Sequence, residues 1–343
     1  MKIEIERTVL KKEEAPVRTA GGRTPAEISA EGVQWHPVGF VKPMRIGWNW
    51  EDLLQDATAA GENLNLAVAG LVLSNEVEAA AVRGEAVLRQ LGFGEIQSGY
   101  YLLSTETRNE ISKPARTFGH KAVVRDGETF HVICAVFKGT TTLPDTVTDV
   151  KSVLDGFYGG GRSCADSLRE YVGLFEGADR DHTILFITGH SLGASTANVV
   201  GRLSRAFARD EHTFVYTFAS PNYETEGEWN NGKDYPNFRY FTNTDDVVPK
   251  VPLRLPPRFF SKIGREHAFC YASLEKDRKA RFLRVYRYFR NIGFEDDTDL
   301  SGLGLRETES LAFAALKNHL CNTYMSFLLS ELADEVIDRY LPG

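Results

Sequence analysis

The stretch ITGHSLGAS, residues 187–195, sets Ser191 between Gly189 and Gly193, after an apolar run and before small, helix-compatible residues. Such a serine reads as the turn of a strand into a helix. Without a Cβ, the two glycines let the chain turn tightly and let helix and strand approach closely. In that elbow the serine is strained and its hydroxyl exposed. The first helical turn leaves N–H groups without intrahelical acceptors, so the Leu192 N–H is placed to bind a developing oxyanion. G-x-S-x-G alone is a weak pattern; a structural glycine-rich turn or a phosphate cradle is the rival reading. The strand before it and the helix after it favour a nucleophile.

Working outward, HTILFITG (182–189), TFVYTFAS (213–220) and FRYFTN (238–243) read as buried strands, and GGGRSCADSLREYVGLFEG (159–177) and LGASTANVVGRLSRAFARD (192–210) as helices. KAVVRDGETFHVICAVFKG (121–139) reads as a hairpin turning at Asp126-Gly127, a pair that tolerates positive φ at both central positions. Upstream, apolar periodicity predicts helices over 50–58, 62–73 and 75–91, with Gly92 as the last stop. Alternation of strands and helices argues for the α/β class, a mostly parallel sheet covered on both faces. Residues 1–45 are read as an irregular extension: KIEIE (2–6) has the alternation of an edge strand, but APVRTAGGRTPAE (15–27) is turn chemistry. Residues 46–343 are read as one catalytic domain.

Composition narrows the partners. The chain has 343 residues, 42% hydrophobic and 25% charged, with a net charge of -7 and no basic bias, which argues against a nucleic-acid partner. Cys134, Cys164, Cys270 and Cys321 show no CxxC spacing, so neither a zinc site nor a disulfide framework is expected. MKIEIERTVLKKEE has no apolar core of the signal-peptide kind, and LNLAVAGLVL (64–73) is too short to span a bilayer. The expectation is a soluble, cytoplasmic protein.

A serine hydroxyl needs an imidazole to take its proton and a carboxylate to orient that imidazole. On a strand-elbow-helix scaffold the chain order is Ser, then Asp or Glu, then His. The segment FRYFTNTDDVVPKVP (238–252) ends a strand in Asp245 and Asp246, at the rim where a carboxylate would meet the elbow. Of the histidines after Ser191, His212 precedes these acids and drops out, leaving His267 and His319. His190 adjoins the serine on a sharp turn and so is no candidate base, while His131 and His182, in or beside strands, read as packing residues.

VFKGTTT (136–142), ITGHSLGA (187–194), TFASP (217–221) and NTDDVVPKVP (243–252), in this order, resemble the class 3 lipase family of α/β-hydrolases. The resemblance spans roughly residues 65–330. It implies Ser191 as nucleophile, Asp246 as the acid with Asp245 a solvated neighbour, and Thr140 as the second oxyanion donor beside Leu192. NHLCNTYMSFL (318–328) resembles the family segment H-x-x-x-x-Y that carries the base, which implies His319; EHAFCYASL (266–274) around His267 resembles one whose histidine does not react. Lys138 stands where the family usually has Arg, with Asp149 as its implied partner, and Thr146 stands where many relatives have Trp.

Residues 275–318 form an insertion before His319. Phe282, Val285, Tyr286 and Phe289 recur at helical spacing with Arg281, Arg284, Arg287 and Arg290 between them. One reading is a cover over the site or a transient lipid-interface contact; the blander one, which we favour, has the aromatics packed on the sheet and the arginines solvated. EDDTDLSGLGL (295–305) lacks the calcium-loop spacing, so no metal is assigned, and the chemistry calls for no cofactor. The expected activity is hydrolysis of lipid or other acyl esters through an acyl-enzyme. Phospholipase-type cleavage is the alternative within that class, and a catalytically silent binding module or a serine peptidase the alternatives outside it.

Overall fold

The computed structural model describes residues 33–46, 63–99, 115–139, 150–225, 235, 237–250, 260–289 and 318–341. The expected helix over 50–58, the KIEIE strand, Thr140, Thr146, Asp149 and the 295–305 loop lie outside the described residues.

Val33–Trp35 (β1) and Met44–Ile46 (β2) pair antiparallel inside the segment expected to be irregular. The reason is burial: Met44 and Ile46 sit in the core with Phe40. Leu64–Ala79 (α1) starts on Asn63, whose side-chain oxygen accepts the Leu66 N–H at 3.1 Å and so caps an orphan donor. Ala81–Gln90 (α2) follows after one extended residue, Ala80. The sequence placed this break near residue 74, but Ser74 bonds back to the Gly70 carbonyl at 2.7 Å and the helix runs through it. Gly92, at φ +83, ends the pair as expected.

Gly94–Gly99 (β3), Arg116–Arg125 (β4) and Glu128–Phe137 (β5) run antiparallel to one another, and the β4–β5 turn carries Asp126 and Gly127 at φ 52 and 86, as their identities predict. Val150–Val172 (α3), Thr183–His190 (β6), Leu192–Ser204 (α4) and Thr213–Phe218 (β7) then alternate. Glu224–Thr225 (β8), Phe238–Asn243 (β9), Phe260–Ser261 (β10) and Arg265–Phe269 (β11) follow, β8 pairing antiparallel with β10 in a separate sheet. Lys276–Tyr288 (α5), Cys321–Ser330 (α6) and Asp334–Tyr340 (α7) are the last described elements.

The main sheet has seven strands in the order β11-β9-β7-β6-β5-β4-β3, with β5, β6, β7, β9 and β11 parallel. Both of its faces are covered, which is why β6, β7 and β9 are buried at every position rather than at alternate ones. Val132, Cys134, Val136, Ile184 and Phe186 pack with residues of α1, α2 and α6 on one face. Ile133, Ala135, Phe137, Leu185 and Ile187 pack with residues of α3 and α4 on the other.

Two contacts fix the periphery. Glu76, with its side chain fully buried, accepts the Val38 N–H at 2.8 Å and pairs with Arg83 Nε at 2.6 Å, tying the β1–β2 hairpin to α1 and α2. On α5, the aromatic stripe faces α6 rather than the sheet, with the Phe282 and Phe327 ring centroids 4.6 Å apart. Of its arginines, Arg284 and Arg287 are exposed, as the solvated reading expected, with Arg284 in surface pairs with Asp334 and Asp338, while Arg281 Nε donates to the Ser330 carbonyl at 3.0 Å. The described part of the insertion is therefore a buttress on α6 and α7.

Candidate active site

The parallel register brings the carboxyl ends of the strands to one rim, with His190 opposite Phe218, Phe218 opposite Phe241 and Asn243 opposite Phe269. Ser191 follows β6 directly and holds φ 56, ψ −127, a conformation that L-residues rarely adopt. Its N–H donates to the Phe218 carbonyl at 3.0 Å, and its carbonyl accepts the Ala194 N–H at 3.0 Å as α4 begins. The elbow closes only because its flanks are glycine. A Cβ built on Gly189 would stand 2.4 Å from the Gly193 carbonyl group, and one on Gly193 would stand 2.2 Å from the Phe137 carbonyl oxygen. Leu192, 4% exposed, is the first helical residue, so its N–H has no partner within the helix.

The Lys138–Gly139 segment runs against this turn. A Cβ built on Gly139 would lie 3.0 Å from the His190 carbonyl oxygen and 3.4 Å from the Ser191 Cβ. Thr140 is the next residue along the chain.

Of the two aspartates that end β9, Asp245 is exposed and Asp246 fully buried. Asn243 builds the turn between them and the strand: its Oδ1 accepts the Asp245 N–H at 3.1 Å, while its Nδ2 donates to the Asn318 carbonyl at 3.1 Å. One Asp246 oxygen, Oδ1, accepts the Val248 N–H at 2.9 Å. The other, Oδ2, faces His319 Nδ1 at 2.8 Å. A carboxylate oxygen accepts, so in a neutral imidazole this contact selects the tautomer with its hydrogen on Nδ1 and its acceptor at Nε2. His319 Nε2 is buried and has no hydrogen-bond partner among the described residues. His319 is 3% exposed, and its ring centroid lies 4.6 Å from that of His190, the residue preceding the elbow serine.

The other sequence candidates separate cleanly. His267 Nε2 is 2.8 Å from Glu331 Oε1, engaged away from both aspartates. His131 meets His120, and His182 meets Asp179, as packing and surface contacts. Two site neighbours escaped the sequence reading. Tyr324 Oη donates to Asp246 Oδ2 at 2.9 Å, and burial together with the Asp246 charge holds its pKa well above that of an ordinary phenol. Glu78, on α1, is 3.0 Å from His190 Nδ1. The signal for Tyr324 was its spacing five residues after His319; for Glu78 it was a second carboxylate, after Glu76, at the end of a mostly apolar helix. Among the described residues no group of His, Cys, Asp and Glu is placed to hold a metal, and no helix is long and apolar enough to cross a membrane.

A mostly parallel sheet covered on both faces, with a strained serine between β6 and the following helix, defines the α/β-hydrolase class. Within it, the lipase (class 3) family model matches residues 128–255, which include the serine and both aspartates. The chain is also similar to the Rhizomucor miehei lipase in its native propeptide complex, at 16% identity over 76% of this chain and 81% of that one, with a TM-score of 0.40. A crystal structure of a fungal lipase is similar at 17% identity over 66% of this chain and 83% of that one, with a TM-score of 0.35. No curated protein matches the chain.

Proposed function

We propose that this protein is a serine carboxylic-ester hydrolase acting on lipid or other acyl esters, with Ser191 as nucleophile, His319 as base and Asp246 as its orienting acid. The observation that carries the reading is the buried 2.8 Å contact between His319 Nδ1 and Asp246, in an imidazole whose ring packs 4.6 Å from that of His190, the residue before the strained Ser191. The class 3 lipase match over residues 128–255 supports the same chemistry.

In this mechanism His319 Nε2 takes the Ser191 proton as Oγ attacks the ester carbonyl carbon. The tetrahedral oxyanion is held by the Leu192 N–H and by Thr140, which the close passage of Gly139 at the elbow supports. Collapse expels the alcohol, protonated by His319, and leaves the acyl group on Ser191. Water, deprotonated by the same imidazole, then releases the acid and restores the hydroxyl. No step calls for a cofactor.

The test is a p-nitrophenyl acyl-ester series from short to long chains, run with a fluorophosphonate probe of Ser191. Turnover and labelling in the wild type, both absent in Ser191→Ala at an unchanged melting temperature, are the expected outcome. A folded wild type that neither cleaves nor labels would instead identify a silent binding module. The chain-length profile, with a glycerophospholipid beside the simple esters, separates lipase, phospholipase and esterase.

A further inference from the structure

Both ring nitrogens of His190 are engaged. Nδ1 lies 3.0 Å from Glu78 Oε2, and Nε2 lies 2.9 Å from the main-chain carbonyl oxygen of His319. A carbonyl oxygen only accepts, so Nε2 carries a hydrogen. Burial presses the His190 ring toward neutrality, yet Cys321 and Glu78 beside it take its pKa well above the usual histidine value. Burial raises the Cys321 pKa, and the carboxylate that faces His190 Nδ1, at 3.0 Å, is Glu78. Burial also works to raise the Glu78 pKa, and His190 outweighs it, leaving that carboxyl below its ordinary value. Both shifts describe an imidazolium facing a carboxylate, hydrogen-bonded at both nitrogens.

The residue that this pair grips is the candidate base. The Asn318 carbonyl is held by Asn243 Nδ2 at 3.1 Å, the His319 carbonyl by His190 Nε2 at 2.9 Å and the His319 ring by Asp246 at 2.8 Å. The ends of β6 and β9 thus each hold one of two successive carbonyls. With its main chain fixed, the imidazole keeps only its side-chain torsions, which Asp246 sets.

We propose that Glu78 and His190 are positioning residues, an ion pair beneath the elbow that locks the His319 main chain so that its ring stays aligned between Asp246 and Ser191. The proposal rests on reading Ser191 and His319 as nucleophile and base. The other titratable groups around the pair are His319, with its ring centroid 4.6 Å from that of His190, Cys321, and Tyr324, with its centroid at 6.2 Å, while His319 and Lys138 also act on Glu78.

Breaking such a pair from one side strands a buried charge, whereas replacing both partners with apolar groups of similar volume is tolerated. The experiment therefore compares the wild type, Glu78→Gln and the double variant Glu78→Leu/His190→Phe in the full chain, reading kcat, KM, the melting temperature and imidazole nitrogen NMR. The double variant is expected to melt close to the wild type and keep its KM, while kcat and the fluorophosphonate labelling rate fall on the order of a hundredfold. Glu78→Gln retains a hydrogen-bonding partner for Nδ1, so it should recover part of that loss. In the wild type, one histidine should remain doubly protonated at a pH above the ordinary histidine range, and lose that proton in Glu78→Gln. A double variant turning over at the wild-type rate overturns the proposal. So does a wild type in which every histidine is neutral at that pH, a result readable even where the double variant fails to fold. A wild type without turnover or labelling defeats the hydrolase reading instead, and the NMR signal distinguishes the two failures.

Discussion

Tyr324 hydrogen-bonds the same Asp246 oxygen that faces His319: its hydroxyl is 2.9 Å from Oδ2, against 2.8 Å for the imidazole Nδ1. The phenol oxygen also accepts the Asn243 N–H at 3.0 Å, so one hydroxyl joins the end of β9, the acid and α6.

Tyr324→Phe removes one hydrogen from Asp246 and leaves the buried Asn243 N–H without its acceptor. A loss of about 1–3 kcal/mol in unfolding free energy is expected. Turnover should fall while KM holds, because the acid is loosened and no substrate contact is touched. Urea denaturation beside steady-state kinetics reads both. Full stability in the variant would show that this hydroxyl does not join the three elements.

Ser191→Gly and Ser191→Ala should both be inactive yet differ in stability. The φ of 56 and ψ of −127 at this residue cost a side-chain-bearing residue about 1–3 kcal/mol, which glycine avoids and alanine does not. Glycine gives back about 0.4–1 kcal/mol through the freer unfolded chain. The expected result is a higher melting temperature for Ser191→Gly than for Ser191→Ala. The reverse order would mean that the elbow is relaxed.

Burial, with the neighbouring His131, lowers the His120 pKa from 6.5 to about 4. The unfolded chain therefore takes up a proton at His120 through a pH range in which the folded chain does not. This contribution to stability is complete above pH 6.5 and is lost as the pH falls toward about 4. His120 Nε2 meets His131 Nδ1 at 3.0 Å, and its ring stacks on Phe175, so the packing favours a neutral ring. Unfolding free energies at neutral and acidic pH should fall less steeply in His120→Gln than in the wild type. Parallel slopes would remove His120 as the source.

Local chemistry made much of the frame legible. Asp126-Gly127 announced its turn because few other pairs accept positive φ twice, and the elbow was readable because Gly189 and Gly193 leave no room for a Cβ. The choice of Asp246 over Asp245 agrees with their burial. What stayed hidden depends on contacts distant in sequence. The continuation of α1 past Ser74 goes with the burial of Leu73, Ser74, Glu76 and Val77, and the hairpin at residues 33–46 with a core that local pattern does not reveal. Glu78 and His190 are 112 residues apart, so neither shows its partner along the chain. Arg281 of α5 looked solvated because its acceptor, the Ser330 carbonyl, comes 49 residues later.

The hairpin bears on how the protein is trimmed for expression or crystallisation. Removing residues 1–45, the stretch read as irregular, would take Phe40 and Met44 out of the core and deprive Glu76 of the Val38 N–H. The shortened polypeptide would carry a sticky apolar scar and tend to aggregate. A deletion that stops before Val33 spares both contacts.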